Sequence, residues 1–173
     1  MSNRIGFFGG CFNPVTNAHL ELIKQVIEKE NLEKVYFVPM GDLYEKKDLI
    51  ALEHRIRMLE LAFEVEEKME ILNISNQDRK MCAIDTFQII DKTFPNAERF
   101  FIMGSDNYHQ MSQWKNAEEL LKKYHYIVLD REKGDLKNIS SSKIREKIKK
   151  GEAIEDLIPK QIINYIRQKN LYK

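Results

Sequence analysis

The first candidate for chemistry is a turn in which two glycines are followed closely by a threonine and a histidine. Gly9 and Gly10 let the backbone approach a ligand closely, and Thr16 and His19 face the same side of a first helical turn. The N–H groups and positive end of such a helix attract phosphate. A histidine there can donate to oxygens that gain charge when an α-phosphate is attacked. Taken singly, these residues fit a tight turn and an ordinary helix; together, directly after a strand, they favour a phosphate site.

A second phosphate candidate begins at Ile139 and continues through three serines to Arg145. Serine hydroxyls and free N–H groups at a helix start can hold β- and γ-phosphates, and Arg145, one turn further on, can pair with the same oxygens. The alternative is a capped amphipathic helix with a solvated arginine. Two such segments at opposite ends of one chain strengthen the phosphate interpretation.

The elements that must position these residues follow from short apolar runs that alternate with helix-period segments, the pattern of βαβ units. Strands are predicted at 5–8, 35–38, 69–74, 100–103 and 126–129, and helices at 17–30, 56–63, 84–90 and 117–124. Ser140 or Ser141 can cap a helix that ends near Gly151, and Pro159 can open the last one. The pattern predicts a Rossmann-like, doubly wound parallel α/β sheet with a helical C-terminus, as a single domain over 1–173. Ligands of such sheets bind beyond the carboxyl ends of the strands.

Composition limits the classes of partner. The 173 residues include 28 Lys and Arg against 27 Asp and Glu, a net charge of +1, so no global field favours nucleic acid or membrane. We find no signal peptide and no run that could span a bilayer. Cys11 and Cys82 are the only cysteines, which suits a reducing cytosol better than a disulfide framework or a zinc site. We therefore expect a cytoplasmic protein without nucleic-acid or membrane partners, and the oligomeric state is left open.

Both phosphate candidates resemble motifs of the nucleotidylyltransferase superfamily. Residues 10–19 resemble its G-[ST]-F-[DN]-P-[VI]-[HT]-x-G-H motif, and residues 139–145 match its I-S-S-[ST]-x-[IL]-R motif without a mismatch. Thr16 stands where histidine is commoner, Ala18 replaces a glycine, and Cys11 replaces a small hydroxyl residue. The resemblance implies that His19, Thr16 and Arg145 serve catalysis. It implies an ATP site formed by Gly9, Gly10, Phe12, Thr16, His19, Gly104, Asp106, Ile139, Ser141, Ser142, Arg145 and Lys47.

The middle and the tail of the chain resemble bacterial nicotinate-nucleotide adenylyltransferases, at 83–86, 101–106, 114–121 and 157–172. The resemblance implies that Trp114 stacks on a pyridine ring and that Asp106 accepts from ribose hydroxyls. It also implies that the backbone of Thr86 lies near the pyridine carboxylate and that Arg131 lies beside the substrate. The alternatives are a core or surface-anchor tryptophan, a helix-capping Asp106, simple packing of Thr86 and a surface arginine.

Two departures concern the substrate. Relatives carry a P-P-H-K segment whose lysine approaches the nucleotide phosphates. Here the 40–47 segment offers Lys46 or Lys47 for that charge, and the alternative for either is a solvated loop lysine. Relatives also insert a further strand where this chain has only 132–138. The resemblance implies transfer of AMP from ATP to nicotinate mononucleotide, with Mg²⁺ bridging the ATP phosphates and no metal site in the protein. The alternatives are nicotinamide mononucleotide, another phosphorylated acceptor such as phosphopantetheine, or a nucleotide-sensing domain without turnover.

Overall fold

Parallel pairing of apolar strands forms the centre of the molecule. A computed structural model describes residues 3–75, 79–129 and 140–173. Within these residues, one sheet contains β1 (Arg4–Gly10), β2 (Lys34–Pro39), β3 (Met69–Ile71), β4 (Glu98–Gly104) and β5 (His125–Leu129). The strand order is β3-β2-β1-β4-β5, and every pairing is parallel. Because the order reverses between β1 and β4, their carboxyl ends form the switch point at which ligands of such sheets bind.

Helices occupy most of the connections between strands. Those of the described residues are α1 (Asn17–Lys29), α2 (Leu52–Phe63), α3 (Ala83–Thr93), α4 (Ser105–Gln110), α5 (Ala117–Lys123), α6 (Ser141–Lys150) and α7 (Lys160–Lys169), with a 3₁₀ turn at Met111–Gln113. The ends of α6 follow local chemistry, because the Ser140 hydroxyl accepts from the N–H of Lys143 and Gly151 takes a positive φ of 69°. None of these helices has the length and apolarity that crossing a bilayer requires.

The core lies on both faces of the sheet. Successive side chains of β1 point to opposite faces, so Phe7 and Phe8, each 2% exposed, belong to different apolar clusters. Phe8 packs in the cluster that contains buried residues of α1, α2, α6 and α7, whereas Phe7 packs with those of α3 and α5. The predicted doubly wound α/β fold is therefore confirmed.

Two local predictions differ from the structure. β3 ends at Ile71 rather than at residue 74, because this edge strand pairs only with residues 35–37 of β2. Helix α4 and the 3₁₀ turn after it were not predicted. Helix α4 is six residues long and buries none of them, so it leaves no apolar period in the sequence.

Candidate active site

The start of α1 holds Thr16 and His19 in a reciprocal pair of hydrogen bonds. The Thr16 hydroxyl accepts from the backbone N–H of His19 at 3.2 Å, and the backbone N–H of Thr16 donates to His19 Nδ1 at 3.1 Å. Thr16 is the N-cap of the helix and is fully buried. The predicted shared face of these two residues is thus confirmed, and both are fixed by the capping arrangement itself.

This pairing selects one tautomer of His19. Because Nδ1 accepts the Thr16 N–H, the neutral imidazole carries its proton on Nε2. The Thr16 hydroxyl also lies 2.8 Å from Nδ1, and the ring packs against Phe12 with centroids 5.6 Å apart. The imidazole is half-buried and has a defined donor atom.

Arg145 joins the two predicted phosphate segments. Its Nη1 donates to the Asn13 carbonyl at 2.9 Å, and its Nη2 to the Ser142 hydroxyl at 3.3 Å. The residue is only 7% exposed, and its buried Nε has no hydrogen-bond partner. No carboxylate of the described residues forms an ion pair with it. A buried cation without a counter-ion is costly, so this arrangement favours an anionic ligand.

Ser141 belongs to the same junction but is used differently from the expectation. Its hydroxyl donates to the carbonyl of Pro14 at 2.8 Å, which ties the start of α6 to the first turn. A phosphate contact of this hydroxyl would have to replace that bond. Ile139 and Arg131, also predicted to contact nucleotide or substrate, lie outside the described residues.

Asn13 is the hub of the first turn. Its amide donates to the Asp48 carbonyl at 2.8 Å, and its Oδ1 accepts from the backbone of Ile50 at 3.4 Å and from the Tyr172 hydroxyl at 2.9 Å. Burial raises the pKa of Tyr172, so the phenol keeps its proton and donates. The carbonyl of Asn13 is the acceptor for Arg145. Chain segments far apart in sequence thus fix one 1%-exposed residue.

Arg55 is a second buried arginine of the site, and the sequence analysis missed it. It is fully buried, and its guanidinium donates to the carbonyls of Ile50 (2.9 Å), Cys11 (3.0 Å) and Met40 (2.6 Å). Asp42 supplies a carboxylate at 3.0 Å. Because Cys11 follows β1 and Met40 follows β2, Arg55 holds together the turns that leave two adjacent strands.

A cavity of about 380 Å³ opens beside this turn at the carboxyl ends of β1, β2 and β4. Thr86 and Trp114, two of the predicted substrate residues, both line it. Trp114 is half-buried and packs against the apolar cluster that contains Phe7, so it is part core and part cavity wall. The prediction that these two residues share one site is therefore consistent with the structure, whereas their contact with a substrate stays a prediction.

The two glycines of the turn serve different purposes. A side chain at Gly9, which lines the cavity, would meet no atom within 4 Å, so that space is open to a ligand. A Cβ at Gly10 would lie 3.0 Å from the ring of Phe12. Phe12 is 3% exposed with a φ of 48°, so a ligand contact of this residue would use its backbone.

The start of α3 adds charge at the cavity edge. Asp85 accepts from Arg79 at 3.0 Å and from the backbone N–H of Cys82 at 2.9 Å, and these partners, Arg79 first, lower the pKa of its carboxyl group. The backbone N–H of Thr86 donates to the Cys82 carbonyl at 3.2 Å. The N–H of Thr86 is therefore already used within the helix. Backbone N–H groups that reach a pyridine carboxylate would have to belong to residues before Thr86 in the same turn.

Other predicted residues lie apart from the cavity lining. Lys46 and Lys47 are exposed and do not line it, so the ATP contact predicted for Lys47 stays a prediction without geometric support. Gly104 is buried and occupies the N-cap position of α4. Asp106 is exposed inside the first turn of α4 and makes no side-chain cap, so the helix-capping alternative for Asp106 is wrong.

No group of three or more His, Cys, Asp or Glu side chains among the described residues is arranged to hold a metal ion. Cys11 and Cys82 are both free thiols.

Comparison with known proteins identifies the class to which this fold and site belong. The family described as cytidylyltransferase-like matches residues 7–147, and the chain belongs to that family. A Lactococcus lactis protein named "Probable nicotinate-nucleotide adenylyltransferase" is 31% identical over 98% of this chain and 95% of its own length. A Streptococcus pyogenes protein of the same name is 34% identical over 99% of this chain and 90% of its own.

A solved structure extends the similarity to the whole fold. The Plasmodium falciparum nicotinic acid mononucleotide adenylyltransferase complexed with NaAD superposes with a TM-score of 0.83. It covers 98% of this chain and 97% of its own at 22% identity. This likeness confirms the α/β fold.

Proposed function

We propose that the chain is a nicotinate-nucleotide adenylyltransferase, which transfers AMP from ATP to nicotinate mononucleotide and releases pyrophosphate. The observation that carries the proposal is the junction of the two phosphate segments, where the buried Arg145 donates to the Asn13 carbonyl and forms no ion pair with the described residues. Relatives named for this activity match nearly the full chain at 31–34% identity. The cavity lined by Thr86 and Trp114 offers room for the second nucleotide.

The reaction needs no nucleophile from the protein. An oxygen of the mononucleotide phosphate attacks the α-phosphorus of ATP and forms a new P–O–P bridge. The bond between the α-phosphorus and the bridging oxygen breaks, and that oxygen leaves with pyrophosphate. Positioning and stabilisation of charge are then the tasks of the side chains.

His19 and Arg145 divide these tasks. Nε2–H of His19 donates to an α-phosphate oxygen as it gains charge, and Thr16 keeps the imidazole in this tautomer from its buried N-cap position. Thr16 is therefore a positioning residue. Arg145 pairs with oxygens of the leaving pyrophosphate through the Nη hydrogens that its bonds to Asn13 and Ser142 leave unused. The positive ends of α1 and α6 favour the same anion.

The second nucleotide occupies the cavity. Trp114 offers a ring face for the pyridine, and the exposed carboxylate of Asp106, after β4, accepts from a ribose hydroxyl. With ATP bound, Mg²⁺ would supply positive charge to the phosphates, and it would be held by the nucleotide and water, since no group of described side chains is arranged to hold it. A cytoplasmic location also remains a prediction.

One assay tests this function against its rivals. Pyrophosphate release is measured with ATP, Mg²⁺ and, in turn, nicotinate mononucleotide, nicotinamide mononucleotide, phosphopantetheine or no acceptor, with the His19→Ala variant as control. We expect release with nicotinate mononucleotide, matched mole for mole by deamido-NAD. Release with phosphopantetheine alone would reassign the acceptor. ATP binding without release for every acceptor would support the nucleotide-sensing domain.

A further inference from the structure

The charged side chains that line the cavity are cationic, and the carboxylate of Asp85 lies at its edge beside Arg79. Arg79, Lys80 and Lys115 are the charged side chains that the described residues contribute to its lining, and no carboxylate of those residues joins them. An apolar cavity whose charged lining residues are all cationic favours an occupant with negative charge on the part that enters. Since this is the cavity assigned above to the mononucleotide, the inference rests on the proposed function.

The three cations differ in how far their charge is compensated. Arg79 is paired with Asp85 at 3.0 Å. Lys80 lies 4.0 Å from the exposed Glu45 and 5.8 Å from the ring centre of Tyr44. Lys115 makes neither a hydrogen bond nor an ion pair with any described residue. The largest uncompensated charge is therefore on Lys115.

Lys115 is also well placed along the chain. It directly follows Trp114, and both residues line the cavity. Its positive charge reaches the start of α3, because it contributes to lowering the pKa of Asp85. That carboxylate is already engaged by Arg79 and by the N–H of Cys82. The ammonium of Lys115 is thus available to a second anion beside the indole ring.

We propose that Lys115 is a specificity-determining residue that selects a mononucleotide whose ring bears a carboxylate over one whose ring bears a carboxamide. The phosphate and ribose are the same in nicotinate and nicotinamide mononucleotides, so their contacts cancel when the two are compared. The ring substituents have nearly the same shape and differ in charge. The backbone N–H of Thr86, the source expected from the sequence, already donates to the Cys82 carbonyl within α3.

The expected effect is moderate because Lys115 is exposed and its charge is screened by water. The Lys115→Met variant should lower the ratio of kcat/KM for nicotinate mononucleotide to that for nicotinamide mononucleotide about threefold to fivefold. Lys115→Arg should restore the ratio. In the wild type the same ratio should fall between about 50 mM and 500 mM salt, since ions screen an exposed charge pair.

A matched control separates a local contact from a change of net charge. Lys92 is exposed in the last turn of α3, at the other end of the helix from Cys82, and Lys92→Met removes the same charge. We expect it to leave the ratio unchanged. An equal loss for both mononucleotides in Lys115→Met would overturn the inference, because the lysine would then serve the shared phosphate or the fold. An equal shift of the ratio in Lys92→Met would overturn it as well.

The two proposals fail in different ways. If the wild type converts both mononucleotides and the ratio of their kcat/KM values is the same in Lys115→Met, only the role of Lys115 is refuted. If the wild type converts neither, the proposed function fails, and the selection assigned to Lys115 fails with it.

Discussion

Substitution of two buried arginines of this chain should change its stability by very different amounts. Arg55 donates to three carbonyls and lies 3.0 Å from the carboxylate of Asp42. Arg145 makes two hydrogen bonds, leaves its Nε unpaired, and forms no ion pair with the described residues. The protein itself supplies the hydrogen-bond partners and the counter-ion of Arg55. Arg145 lacks a counter-ion among the described residues, and an anionic ligand would supply one.

The magnitudes follow from these partners. Arg55→Met leaves the carbonyls of Ile50, Cys11 and Met40 without that donor. Each buried acceptor left unpaired costs about 1–3 kcal/mol, so we expect a loss of about 3 kcal/mol or more. Arg145→Met loses hydrogen bonds of a charged group, about 1.5–3 kcal/mol, but also removes the desolvation penalty of an uncompensated cation, which is several kcal/mol. We expect these terms to offset, so that the free energy of unfolding changes by about 1 kcal/mol or less.

Urea unfolding measures both variants beside the wild type. With a slope of about 1–3 kcal/mol per M, Arg55→Met should lower the midpoint by about 1 M or more, and Arg145→Met by much less. ATP at about a hundred times its Kd should stabilise the wild type by about 2.7 kcal/mol. Most of this increment should be absent in Arg145→Met. If Arg145→Met is as destabilised as Arg55→Met and keeps its ATP increment, the guanidinium is structural and the argument for a phosphate ligand is refuted.

Three further predictions concern the reaction and the cavity. His19→Ala should lower kcat by about a hundredfold through loss of one preorganised donor. The control His125→Ala, at an exposed position of β5, should leave kcat unchanged in steady-state kinetics. Near-normal turnover of His19→Ala would remove His19 from the mechanism. In calorimetric titration, Trp114→Ala should weaken mononucleotide binding by about 1–3 kcal/mol and leave ATP binding unchanged. Trp114→Phe should recover part of the loss. An equal loss of ATP binding would point to a structural role. Gly9→Ala should keep the urea midpoint, because its Cβ enters open space, but should raise KM. An unchanged KM would show that no substrate approaches there.

Most of the fold could be predicted from the sequence because apolar periodicity reports burial directly. The five strands of the described sheet were all predicted, with β3 shorter than expected, and the caps at Ser140 and Gly151 depend on residues close in sequence. The pairing of Thr16 with His19 is equally local, since three positions on a helix fix the geometry.

Contacts between distant segments were less accessible. A motif indicates which residue types can bind phosphate, but it does not show that the Ser141 hydroxyl already donates to Pro14 or that Lys47 lies outside the cavity lining. Arg55 did carry a signal, because it occupies the buried stripe of α2 at regular spacing from Leu52 and Leu59. A charged residue on such a stripe requires partners.

The hub at Asn13 has a consequence for how the protein is made. Its partners Arg145 and Tyr172 lie 132 and 159 positions further along the chain. During synthesis, the first four strands can leave the ribosome and pair while the turn after β1 still lacks both partners, since domains fold as their segments emerge. Competence to bind phosphate is therefore acquired in a late step, after the sheet has assembled. A nascent chain stalled before α6 would have most of its sheet but an unfinished nucleotide site.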